Sequence, residues 1–110
     1  MIYIKIGNDL YPAFISGKNS DHDWDDRMSK SITVTMSYDD AIELFIDGLE
    51  WSIVQDNPTE EDPAHQDEWD NSEYDIAGDI TDHRDGTLTV KMGKMTDLEE
   101  AYELLYGGEL

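Results

Sequence analysis

The residues best suited to chemistry are histidines set among aspartates. His22 stands in Asp21-His22-Asp23-Trp24-Asp25-Asp26, and His83 stands in Asp82-His83-Arg84-Asp85-Gly86. Two imidazoles with one or two carboxylates make a legitimate zinc set, and the imidazoles favour a transition ion over calcium. His22, Asp23, His83 and Asp85 are therefore the candidate ligands of a structural divalent metal, pinning the long 17–30 loop against a later hairpin. The histidines are 61 residues apart (83 minus 22), so only the fold can unite them. The plainer alternative is that Arg27, Lys30 and Arg84 neutralise these aspartates through ordinary ion pairs. Asp21, Asp23 and Asp25 also match the first three ligand positions of an EF-hand loop. That match fails at Asp26, where glycine is needed, and at Ile32, where a bidentate glutamate should close the cage.

Nothing else has the spacing of a catalytic site. The chain lacks GxSxG, HExxH and a phosphate-binding glycine loop. It has no cysteine, which excludes disulfides, iron–sulfur clusters and thiol nucleophiles. Carboxylate pairs carry no information, because with 27 acids any two lie near each other. The expectation is a protein that is not an enzyme.

Charge is the feature that needs explaining. Asp plus Glu number 27 against 7 Lys plus Arg in 110 residues, a formal net charge of −20. Direct binding to nucleic acid or an anionic membrane needs the opposite sign. From Ser31 to Asp82 there are sixteen acids and no base. Such a surface is either a solvated coat or a contact for a basic partner. Glu43, Asp47 and Glu50 recur at helical spacing. Asp75 and Asp79, about 13 Å apart along a strand, run in line with the turn acids Asp82 and Asp85. These seven are the candidate partner-binding residues, and together they resemble a row of phosphates if one face carries them all.

The elements that must position these residues follow from periodicity. Ile2, Ile4 and Ile6 alternate with Tyr3 and Lys5, a half-buried strand. Tyr11 to Ser16 is its hairpin partner, with Pro12 marking an edge. A polar loop follows over 17–30. Ile32, Val34 and Met36 alternate with Ser31, Thr33 and Thr35 in a third strand. Ser37 caps a helix whose Tyr38, Ala41, Ile42, Phe45 and Leu49 share a face, ending near Gly48. Trp51 to Gln55 is a short strand. The 56–72 segment is acidic, without periodicity, and reads as a mobile loop with Trp69 as an apolar anchor. Tyr74, Ile76 and Ile80 alternate with acids in a fifth strand, and Asp85-Gly86 turns the chain into a sixth, Thr87 to Met92. Thr96-Asp97-Leu98-Glu99 is a capping box opening a helix that buries Leu98, Ala101, Tyr102 and Leu105 and stops at Gly107-Gly108. The pattern β-β-β-α-β-β-β-α predicts one compact α+β domain over 1–110, with a mostly antiparallel sheet of about six strands and two helices.

Three stretches, DHDWDDRMSK (21–30), WSIV (51–54) and YDIAGDITDHRDGTLTVKMGK (74–94), resemble small acidic proteins of phages and prophages of Gram-positive bacteria. The resemblance spans most of the chain except 56–72 and supplies no catalytic residue. In size, charge and lack of cysteine the chain is also similar to anti-CRISPR proteins, several of which occupy the DNA-binding surface of an RNA-guided nuclease. These likenesses imply an inhibitor in the host bacterial cytoplasm whose partner is the basic surface of a nucleic-acid-binding protein, a type II CRISPR effector first among them. The alternative is a virion or assembly component of a phage tail or head. A start of Met1-Ile2-Tyr3-Ile4-Lys5-Ile6 is not a signal peptide, and no apolar run reaches the roughly 20 residues of a membrane span.

Overall fold

A computed structural model describes residues 1–106. It is an α+β domain built on one antiparallel sheet of seven strands with two helices. The strands are β1 (Ile2–Ile6), β2 (Asp9–Asp21), β3 (Arg27–Thr35), β4 (Ser52–Asp56), β5 (Gln66–Asp70), β6 (Ile76–Asp82) and β7 (Thr87–Gly93). The helices are α1 (Tyr38–Leu44) and α2 (Asp97–Tyr106). Their order across the sheet is β5-β4-β1-β2-β3-β7-β6, which leaves β5 and β6 as the two edges.

The period-2 pattern of β3 does what it should. Ile32 and Val34 are buried and stand opposite Val90 and Leu88 of β7, while Thr33 and Thr89 share a 2.8 Å hydrogen bond on the other face. The core lies on the first face, where α1 and its exit supply Ala41, Phe45, Leu49 and Trp51. Trp51 is buried because its indole N–H has a partner: Nε1 donates to the Tyr74 carbonyl at 2.9 Å. Ser37 caps α1, accepting from the Asp40 amide at 3.1 Å.

Several elements depart from the sequence reading. The 17–30 loop is mostly strand: β2 runs to Asp21 and β3 starts at Arg27, leaving a single 3-10 turn at His22–Trp24. Its polar alternation hid it, because here both sheet faces carry polar groups. Pro12 is not on an edge strand. It sits where β2 changes partner, with Pro12 facing Tyr3 of β1 and Ala13 facing Val34 of β3. The 56–72 segment contains β5, a seventh strand made of Gln66-Asp67-Glu68-Trp69-Asp70 against β4. Trp69 is half exposed there and is no buried anchor. Helix α1 ends at Leu44, before Gly48, and leaves Tyr38 and Ile42 half exposed. Helix α2 begins at the expected capping box, but Leu98, Ala101, Tyr102 and Leu105 are exposed, not buried. The expected stop at Gly107-Gly108 lies outside the described residues. Among the described residues, no helix is long and apolar enough to cross a membrane.

Candidate functional site

The seven expected partner-binding acids divide into two groups. Asp47, Asp75, Asp79, Asp82 and Asp85 fall along the β6 edge. Asp47 Oδ1 accepts from the Ala77 amide at 2.8 Å, and the Gly48 amide donates to the Asp75 carbonyl at 2.8 Å, which ties the α1 exit to the start of β6. Asp82 Oδ1 accepts from the Arg84 amide, and Asp85 Oδ1 accepts from both the amide and hydroxyl of Thr87 in the β6–β7 turn. The Thr87 hydroxyl and amide hold the Asp85 carboxyl below its ordinary value. Gly86 closes that turn at φ 93°. Glu43 and Glu50 do not join this edge. Glu43 lines a groove with Tyr11 and Met36, and Glu50 lines another with Lys5 and Glu68.

The edge is not one straight row. A register shift between Ala77 and Ile80 inserts Gly78-Asp79 as a bulge. Ala77 and Ile80 both face the core, whereas Ile76 faces the other side, beside α2. Asp79 therefore leans toward the second face, and the expected alignment of Asp75, Asp79 and Asp82 is broken. Density argues the same way. The 75–82 span is about 23 Å, a length over which duplex DNA carries roughly fourteen charges, against the three of Asp75, Asp79 and Asp82 here. The edge is an acidic ridge, sparser than a phosphate array.

The expected zinc ligands are not brought together. His22 and Asp23 lie at the start of β3, while His83 and Asp85 lie in the turn beyond Thr87, which pairs with Thr35 at its end. The length of β3 separates them by roughly 25 Å. His22 Nδ1 bonds Asp26 Oδ1, and His83 Nε2 bonds Thr89 Oγ1 at 2.7 Å. No group of three or more metal-binding side chains forms among the described residues.

The side chains that do converge sit on the second sheet face and were not apparent from sequence. Asp21 is 1% exposed and accepts from Lys91 Nζ at 2.9 Å, Ser29 Oγ at 3.2 Å and the Asp23 amide at 3.2 Å. The Lys91 bond holds its carboxyl below the ordinary value. Beside it Arg27, 5% exposed, forks onto Glu99 of α2: Nη1 to Oε1 at 2.7 Å and Nη2 to Oε2 at 3.1 Å. Arg27 and the Thr96 amide hold the Glu99 carboxyl down to about 2. The Arg27 guanidinium also lies 5.0 Å from the Trp24 ring. That ring covers Gly78 and Gly93, where an added Cβ would fall 2.7 Å from it. The two glycines are the only signal in the sequence for this cluster, since a bare backbone is what a flat ring can lie on. The cluster is a polar tie between sheet and helix.

No protein-family model matches the chain, and neither a curated protein nor a solved structure is significantly similar to it.

Proposed function

We propose that this protein is a non-enzymatic, phage-encoded inhibitor that sets its acidic ridge against the basic surface of a host nucleic-acid-handling protein. A type II CRISPR effector nuclease is the partner to test first. The observation that carries the reading is the convergence of Asp47, Asp75, Asp79, Asp82 and Asp85 on the edge strand β6. An edge needs some acids simply to avoid pairing with other sheets. Five along one edge, in a chain of net charge −20, go beyond that need and favour fast, salt-sensitive association with a basic groove. Sparse spacing makes it a blocker of part of such a groove, not a full copy of duplex DNA.

Binding to a guide-loaded effector in competition with target DNA tests this directly. The expected result is that the protein displaces DNA, with affinity falling as salt rises. Joint replacement of Asp75, Asp79, Asp82 and Asp85 by Asn is expected to weaken binding by at least tenfold, a loss of about 1.4 kcal/mol. Absence of binding to type II effectors, with no protection of phage in CRISPR-armed cells, overturns the proposal.

A second reading, a virion or assembly component, is favoured by one observation. Helix α2 displays exposed Leu98, Leu104 and Leu105, as a subunit waiting for a neighbour would.

A further inference from the structure

We infer that the groove between α2 and the start of β6 is a docking site for a cationic amphipathic helix of a partner protein. Ile76, Met95, Leu98 and Tyr102 line it together with Glu99 and Glu103, and its volume is about 420 Å³. Leu98, Ala101, Tyr102 and Leu105 stand at i, i+3, i+4 and i+7, so the apolar stripe is continuous along the helix. Leu98 is 81% exposed and Leu105 65% exposed. A ten-residue helix is marginal alone in water. Here the Thr96–Glu99 capping box and the Arg27 fork hold it in place with this stripe turned outward.

Charge decides what covers it. Glu103 lines the groove, Asp97 and Glu100 add acids to the same helix, which carries no base, and Glu99 is already committed to Arg27. A second copy would bring another −20 against the same acids, which opposes self-association. A helix with leucines on one side and lysines beside them meets both requirements, apolar side chains in the groove and ammonium groups against its acids. The inference deepens the proposed function by naming the chemistry of the contact, and rests on it only in taking the partner to be basic.

The test uses the full chain and three labelled synthetic peptides of about 14 residues, read by fluorescence anisotropy. One is a Leu/Lys helix with leucines at i, i+3, i+4 and i+7, one its scrambled version, and one a Leu/Glu counterpart. The amphipathic Leu/Lys peptide is expected to bind, with the other two at least tenfold weaker. Leu98→Asn with Leu105→Asn is expected to abolish the difference between amphipathic and scrambled peptides. Both positions are exposed, so circular dichroism should stay unchanged and keep that result interpretable. Equal binding of the scrambled or the Leu/Glu peptide overturns the inference, as does sedimentation showing a dimer that these substitutions dissolve. Neutralising Asp79, Asp82 and Asp85 separates the two readings. If effector binding is lost but peptide binding stays, the ridge and the groove act independently; if peptide binding is lost as well with circular dichroism unchanged, the peptide sits on the ridge and the inference is overturned.

Discussion

Trp24 covers Gly78 and Gly93 on the second sheet face, beside the charged cluster. The six-membered part of the indole packs on two positions without side chains, and the Arg27 guanidinium lies over the ring at 5.0 Å. At Gly93 an added methyl would meet both the ring and Arg27 Cδ at 2.7 Å, so the ring and a guanidinium held by Glu99 would both have to shift. Gly93→Ala is therefore expected to destabilise by about 1–3 kcal/mol, the usual range for overpacking. Urea denaturation measures it. A change within a few tenths of a kcal/mol would mean that Trp24 is not seated on the strand. The same residues show what sequence could convey. The acids of 21–26 invited a metal reading because carboxylates and histidine were adjacent in the chain. The plainer ion-pair reading holds in part, since Arg27 Nη2 lies 3.6 Å from Asp25 Oδ2, but Asp21 is answered from far away by Lys91, and Arg27 is forked by Glu99. Such pairs, 70 and 72 residues apart, leave no local signature.

Elements with local rules were legible, and those held by remote partners were not. The β3 alternation, the Ser37 cap, the Asp85-Gly86 turn and the Thr96–Glu99 box each follow from a short pattern, and each is present. Strand β5 was hidden because Gln66 to Asp70 is polar on both faces and is strand only by pairing with β4. Helix α2 was placed correctly but its burial was misjudged, since periodicity reveals a stripe and not what covers it. Its attachment makes a testable case. The Glu99 carboxyl is held at about 2, below the roughly 4.3 of an unfolded glutamate, chiefly by Arg27. A depressed carboxylate stabilises fully above its unfolded value, and that contribution disappears as pH falls through the folded one. Helix α2 is thus expected to stay docked at pH 5 and to release between about pH 4 and 2. Amide exchange across 97–105 follows this release. In Glu99→Gln the helix should be loose already at pH 7, and protection unchanged by that substitution would refute the role given to the fork.

At the scale of the whole molecule, charge sets the balance between folding and association. The 27 acids exceed the 7 Lys and Arg by twenty, and the attractive pairs are few and mostly partly exposed. Exposed pairs contribute about 0–1 kcal/mol each, and salt weakens them. Repulsion among the unmatched carboxylates acts over longer distances, and salt weakens that too, with a Debye length of about 10 Å at 0.1 M falling to about 3 Å at 1 M. The two effects have opposite signs for stability, and the excess of one charge decides between them. Removing repulsion outweighs losing a handful of pairs, so the melting temperature is expected to rise from low to high sodium chloride. Association with a basic partner must move the other way, because the attraction that steers it is screened by the same ions. Thermal melts and binding titrations over one salt series measure both. A melting temperature that falls with salt would place the stabilising weight on the ion pairs around Arg27 and Lys91. It would also remove the argument that the acid excess is borne at a cost to folding and kept for a partner.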